Sequence, residues 1–194
     1  MEILINFIKD IHPLSNNSFQ KLLSISEVVS YKSGEHLCKI GDINHKIYFI
    51  LNGITRTYIK ETPDSPEVNK AIACSGSLTS SLRSAVTLTP TNIGCQCLTD
   101  CLMLVVDENA LAKLRKEYND FSEFMYRALE LEYTKLEENI VNLLSKDATE
   151  RYLILRKKIK DIDKLIPQYH IASHLGITPI QLSRIRKKLL ITDK

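Results

Sequence analysis

The spacing of apolar residues changes along the chain, and each change predicts a different kind of structure. Ile3, Phe7, Ile8 and Ile11, then Phe19, Leu22 and Leu23, recur at helical intervals, so residues 1–27 predict short helices. From about Glu27 to Val106 the runs become short and β-rich, with turn residues between them. Val28–Tyr31 ends at Lys32-Ser33-Gly34-Glu35, His36–Ile40 ends at Gly41-Asp42, and Lys46–Leu51 ends at Asn52-Gly53, a favoured hairpin pair. Ile54–Ile59 follows, and Thr62-Pro63-Asp64-Ser65-Pro66 breaks the pattern before Gly94–Leu98 and Cys101–Val106. Strands so short and so regularly spaced predict an antiparallel sandwich or barrel.

From Glu108 the period becomes helical again. Phe121, Met125, Leu129, Leu136, Ile140 and Leu143 make an apolar stripe, with Glu130, Glu132, Glu137 and Glu138 largely off it. No Gly or Pro interrupts Asp120 to Asp147. A helix of about 26 residues is ~40 Å long, more than a small β domain covers. Those six residues are therefore expected to meet a second copy of the chain. Burial against the chain's own domain is the alternative.

The last segment reads as two helices joined by a glycine turn. Gly176 ends the first, and Thr178, Pro179 and Gln181 open the second as N-cap, first helical residue and capping-box partner. Ile171, Ala172, Leu175 and Ile177 are positioned to pack with Leu182, Ile185 and Leu189 of the second helix. This is a helix-turn-helix pattern, whose second helix can enter a major groove. At 100° per residue Ile180, Arg184 and Lys187 point away from the packed face, flanked by Gln181 and Lys188, with Ser183 on the other border. Arg184 is the expected guanine contact. Gln181 either reads adenine or serves the cap. Arg186, Lys187 and Lys188 are expected at phosphates. Gln168, Tyr169 and Thr178 lie near helix starts suited to phosphate anchoring.

Charge sharpens this picture. The net charge of +3 divides into −5 over residues 1–150 and +8 over residues 151–194, so the excess cation lies on the helix-turn-helix segment, as nucleic-acid binding requires. With 44% hydrophobic and 25% charged residues, and no apolar run long enough to span a bilayer, the chain is expected to be soluble and cytoplasmic. Residues 1–9 lack a basic n-region and a small-residue cleavage site, so they are not expected to be a secretory signal. Five cysteines fit free thiols. Cys95, Cys97 and Cys101 lack metal-ligand spacing and are expected as small hydrophobes, with a redox pair as the alternative reading. His170 and His174, four apart, are expected to flank DNA-backbone contacts rather than hold a metal. No nucleophile motif, P-loop or catalytic acid pair is present, so no enzyme and no cofactor is expected.

Gly34-Glu35, Gly41-Asp42, Tyr48-Phe49-Ile50-Leu51-Asn52-Gly53-Ile54-Thr55-Arg56, the long helix and Ile177–Ile185 together resemble the Crp/Fnr transcription regulators over nearly the whole chain. The resemblance implies an α+β protein. An N-terminal β-roll of the cyclic-nucleotide-binding type (residues 1–118) would be followed by a dimerisation helix (119–147) and a winged-helix-like helix-turn-helix (148–194). So little chain follows the recognition helix that the wing is expected to be short or absent. Double-stranded DNA, a second copy of the chain and RNA polymerase are the implied partners, in a bacterial setting. Where the family often has Glu in the first turn of the recognition helix, this chain has Ile180.

The ligand cassette also departs from the family. Arg83-Ser84-Ala85 carries the letters of the family's phosphate-binding run but stands too far before the Cys101–Val106 strand. Counting back from that strand puts Thr91 or Asn92 at the arginine position, and no glutamate lies near Gly76-Ser77-Leu78. Weak or no cyclic nucleotide binding follows, because the phosphate loses its cation. Arg83, with Ser80 and Ser81, could face another anion, so the effector is unknown or absent. The runner-up function is a ligand- or protein-binding module of the same fold that does not read DNA.

Overall fold

The computed structural model describes residues 1–192, with side chains described through Leu189. Helices α1 (Glu2–Ile11) and α2 (Asn16–Ser24) precede strands β1 (Ser26–Tyr31), β2 (His36–Cys38), β3 (Lys46–Asn52), β4 (Ile54–Ile59), β5 (Val68–Cys74) and β6 (Leu78–Thr79). Helix α3 (Leu82–Thr87) and strands β7 (Gly94–Cys97) and β8 (Cys101–Asp107) complete the sheet region. Then come α4 (Glu108–Glu117), α5 (Asn119–Ser145), α6 (Ala148–Lys158), α7 (Ile162–Leu165), α8 (Gln168–Leu175) and α9 (Pro179–Thr192). The strands form two four-stranded sheets, β1-β8-β3-β6 and β2-β7-β4-β5, with antiparallel pairing throughout. The expected α+β architecture, a β-roll followed by helices, is what the chain adopts.

Strands β3 and β8 explain their own unbroken apolar runs. They pair centrally, Phe49 opposite Leu104 and Tyr48 opposite Val105, and are buried on both faces. Phe49, Leu104 and Val106 face outward into a core with Leu4 and Ile8 of α1, Leu22 of α2, Leu111 and Leu114 of α4, and Phe121 and Phe124 of α5. Tyr48, Met103 and Val105 face inward, against Cys97 and Cys101. The period of two is intact; both faces are simply apolar. At the β3–β4 hairpin Gly53 has φ +109°, and a Cβ there would lie 2.9 Å from Cys101 Cα, so only glycine fits the turn.

Asp107 caps α4 by accepting from the amides of Asn109 and Ala110. Asp120 ties α2 to α5. Burial works against its charged form, but the Ser18 hydroxyl at 2.6 Å and the Ser15 amide at 2.7 Å hold its pKa at about 2. Asp147 and Glu150 form a reciprocal capping box at the start of α6.

Three elements lie where the apolar pattern predicts none: β5, β6 and α3. Strand β5 buries Asn69 and Ile72 but exposes Val68 and Lys70, so hydropathy alone does not announce it. The C-terminal helices share a core with the sheet carrying β5. Ile54, Ile72 and Leu98 pack in one cluster with Tyr152, Leu155, Ile171, Ala172, Leu175 and Leu182.

Candidate nucleic-acid interface

Helices α8 and α9 are joined at Gly176, whose left-handed φ of +68° turns the chain at no steric cost. Thr178 caps α9. Its hydroxyl accepts from the Gln181 amide at 3.2 Å, and the Gln181 side chain accepts from the Thr178 amide at 2.8 Å. Gln181 also takes the Thr178 hydroxyl proton, so in this state its carboxamide oxygen serves the cap rather than a base edge. Leu182 is fully buried, and Ile177, Ile185 and Leu189 pack around it, which fixes the inner face of α9.

The opposite face is open. Ile180 is 66% exposed, and Gln181, Ser183, Arg184, Lys187 and Lys188 are all exposed. Thr178, Gln168 and Tyr169 are exposed at the starts of α9 and α8. Arg186 is half-buried and lies 3.6 Å from Asp163, which also accepts the Tyr152 hydroxyl at 2.7 Å.

His170 and His174 depart from expectation. Neither flanks an open surface; both lie in the seam between α8 and the β-roll. Asn69 of β5 donates from its side chain to the His170 carbonyl at 2.9 Å, and its backbone amide donates to the Ser173 hydroxyl at 2.9 Å. Burial, then Arg56, drives the His170 pKa down to about 4, against a smaller upward pull from Glu67. Burial and Lys158 do the same to His174, also to about 4. Both imidazoles are therefore neutral near pH 7. Beside His170 lies a cleft of about 480 Å³ with Arg56, Glu67 and Gln96 on one wall and Tyr169, His170 and Ser173 on the other.

Helix α5 divides at Ala128. Before it, Phe121 is wholly buried in the chain's own core and Met125 is packed against it, so Phe121 is unavailable to a second copy. After it, residues 129–141 are all exposed. Leu129, Leu136 and Ile140 are each 50% exposed and Leu143 63%. Tyr126 and Tyr133, exposed as well, were missed in the sequence. They complete the series 126, 129, 133, 136, 140, 143, an alternation of three and four that is the heptad signature of a coiled coil. Counting tyrosine as apolar would have revealed it.

The hydroxyl residues among the ligand candidates are engaged in internal hydrogen bonds. Ser81 and Thr91 are buried, and the Thr91 hydroxyl donates to the Ser81 hydroxyl at 2.6 Å. Ser80 donates to the Lys46 carbonyl at 2.7 Å. Arg83 stands exposed on α3, its guanidinium without a hydrogen bond or ion pair among the described residues, and Asn92 is exposed too. Ser84 and Ala85 of the same run are buried, with Ser84 bonded to the Thr89 carbonyl and the Asn44 amide. The Arg83-Ser84-Ala85 letters thus belong to a structural helix. No buried cation faces Ser81 and Thr91, so these residues do not fit a cyclic phosphate. Titration calorimetry with cyclic AMP is expected to show no saturable binding. A micromolar dissociation constant that Arg83→Ala abolishes would overturn that assignment.

Cys38, Cys95, Cys97 and Cys101 are buried in the roll. Burial pushes the Cys95 thiol up to about 12, which makes it unreactive. Among the described residues no group of three or more His, Cys, Asp or Glu side chains is arranged to hold a metal.

Residues 28–118 match the family of cyclic nucleotide-binding domains. No curated protein matches the chain. Among solved structures, FixK2 from Bradyrhizobium japonicum superposes with a TM-score of 0.74 at 16% identity, covering 87% of this chain and 86% of its own. The c-di-GMP-responsive global regulator CLP from Xanthomonas campestris gives 0.67 at 16% identity, covering 92% and 93%. A transcriptional regulator of the crp/fnr family from Eubacterium rectale gives 0.68 at 13% identity, covering 92% and 85%. At such identities the likeness is one of fold. Residues 28–118 thus match the cyclic nucleotide-binding domain family, and the chain has the fold of structures that include Crp/Fnr-type regulators.

Proposed function

We propose that the chain is a sequence-specific DNA-binding transcription regulator of Crp/Fnr type that acts as a homodimer on a two-fold symmetric operator. The observation that carries this reading is α9. It is a capped, internally packed helix whose exposed face holds Ser183, Arg184, Lys187 and Lys188, at the end of a chain with the regulator fold. The heptad face of α5 supplies the second copy, and two-fold pairing presents two recognition helices to half-sites about 34 Å apart. The chain divides into a sensor over residues 1–118, a dimer helix over 119–147 and a reader over 148–194. Lys187 and Lys188 neutralise phosphates and Arg184 reads guanine, while Ile180 offers apolar contact to a thymine methyl. The protein catalyses no reaction; any effector acts by favouring one arrangement of sensor and reader.

Selection from a random duplex library with purified protein and no added ligand tests this. A two-fold motif is the expected result, and no enrichment, with or without cell metabolites, favours a module that binds some other partner. On the selected site, Arg184→Ala is expected to cost about 1–3 kcal/mol and to relax discrimination at one base pair per half-site. Unchanged discrimination in a binding titration would mean that α9 docks with another face.

A further inference from the structure

We infer that Asn69 is a positioning residue for the DNA-reading unit, holding α8, and with it α9, at a fixed angle to the sensor. This inference rests on the DNA-binding reading above and adds what aims the reader. Asn69 is 3% exposed and lies on β5, yet its bonds cross to another part of the chain. Its backbone amide donates to Ser173 and its side-chain amide to the His170 carbonyl, each at 2.9 Å. Its side-chain oxygen accepts from Arg56 at 2.9 Å.

Arg56 is itself immobilised by the sheet. It donates to Gln96 of β7 at 2.8 Å, pairs with Glu67, and stacks over the Tyr58 ring at 4.4 Å. Strands β4 and β7 and the segment before β5 thus hold Arg56, Arg56 holds Asn69, and Asn69 holds α8. Helix α9 follows α8 as one body, because Leu182 is fully buried against Ile171 and Leu175 in their common core. A buried network with its donors and acceptors paired specifies one geometry. The apolar part of the same seam, Ile72 against Leu175 and its neighbours, supplies cohesion but no comparable angular preference.

Two half-sites on a duplex test angle directly, since moving one of them by a single base pair rotates it by about 34° around the helix axis. Asn69→Asp is the informative variant. It keeps the size of the side chain and the acceptor for Arg56, but sets an oxygen against the His170 carbonyl. Ser173→Ala removes the second bond from the other side and leaves Asn69 intact. Wild-type protein is expected to prefer the selected spacing over a one-base-pair insertion by about tenfold or more. Both variants are expected to reduce that preference to about threefold or less, while affinity for an isolated half-site stays unchanged. A residue that merely stabilised the fold would weaken full-site and half-site binding together. Variants that keep the whole spacing preference would overturn the inference. Wild-type protein that binds no duplex at all would sink the DNA-binding reading instead, so the two failures are distinguishable.

Discussion

Leu136→Glu combined with Ile140→Glu is expected to leave the chain folded, make it a monomer, and weaken binding to a two-fold site by about 10²–10⁴-fold. Both side chains are 50% exposed in the single chain, so their replacement removes little from the internal core. Packed as knobs in a parallel pair, each would bury apolar surface worth roughly 1.5–3 kcal/mol, and the two glutamates bring like charges into the seam from both copies. Glu130, Glu132 and Glu137, at the flanking e and g positions of that heptad, add to the repulsion. The loss on DNA arises because the second recognition helix no longer binds as part of one molecule; it must be recruited from solution. Sedimentation, circular dichroism and a titration on full and half sites check the three parts separately. A variant that stays dimeric would move the interface elsewhere. A monomer with undiminished operator affinity would mean that one reader suffices.

Much of this architecture is legible in the sequence because local and tertiary signals agree. The helix-turn-helix could be placed to the residue since Gly176, Thr178, Pro179 and Gln181 each satisfy a local backbone demand, and the cap bonds are the ones their spacing requires. What escaped is tertiary. Strand β5 was invisible because its buried positions include Asn69, a polar residue kept inside by contacts with α8. Arg186 reads as one more cation on a basic helix, and only the fold brings Asp163 beside it. His170 and His174 read as neighbours of a DNA surface, because helical spacing shows that two residues share a face but not what covers it. Arg83-Ser84-Ala85 shows the converse: a motif can be present in letters and absent in function, since α3 turns its arginine out.

The two seam histidines should make stability fall in mild acid. Both have pKa values of about 4 in the folded chain, against 6.5 for a free imidazole. Between those values the unfolded chain binds more protons than the folded one. Stability is thus fully present above about pH 6.5 and is lost as pH falls toward 4, by about 2 kcal/mol at pH 5 for the deeply buried His174 and by less for His170, which solvent screens more. At His174, which faces Lys158 and Arg151 of α6, the backbone of Asn69 favours the protonated ring but is outweighed by burial and Lys158. His170 faces Arg56, and the one carboxylate near it, Glu67, is already paired with that arginine. His36, lowered by burial and Lys39, acts in the same direction. Carboxylates are separable, because Asp120, held at about 2, withdraws its contribution only below its ordinary value of 3.8. Urea unfolding of the wild type at pH 7.5, 6.5, 5.5 and 5 should show the midpoint dropping across the last three. His170→Gln and His174→Gln should each flatten the slope by about one proton, whatever they do to stability at pH 7.5. A midpoint constant down to pH 5 would mean that the seam hydrates its histidines, and the tight docking of α8 on β5 would have to be abandoned with it. Acid would also loosen this joint before the β-roll core, whose buried cysteine and tyrosine groups stay neutral throughout that range. Hydrogen exchange at pH 5 should therefore accelerate first in 168–175, ahead of β3 and β8.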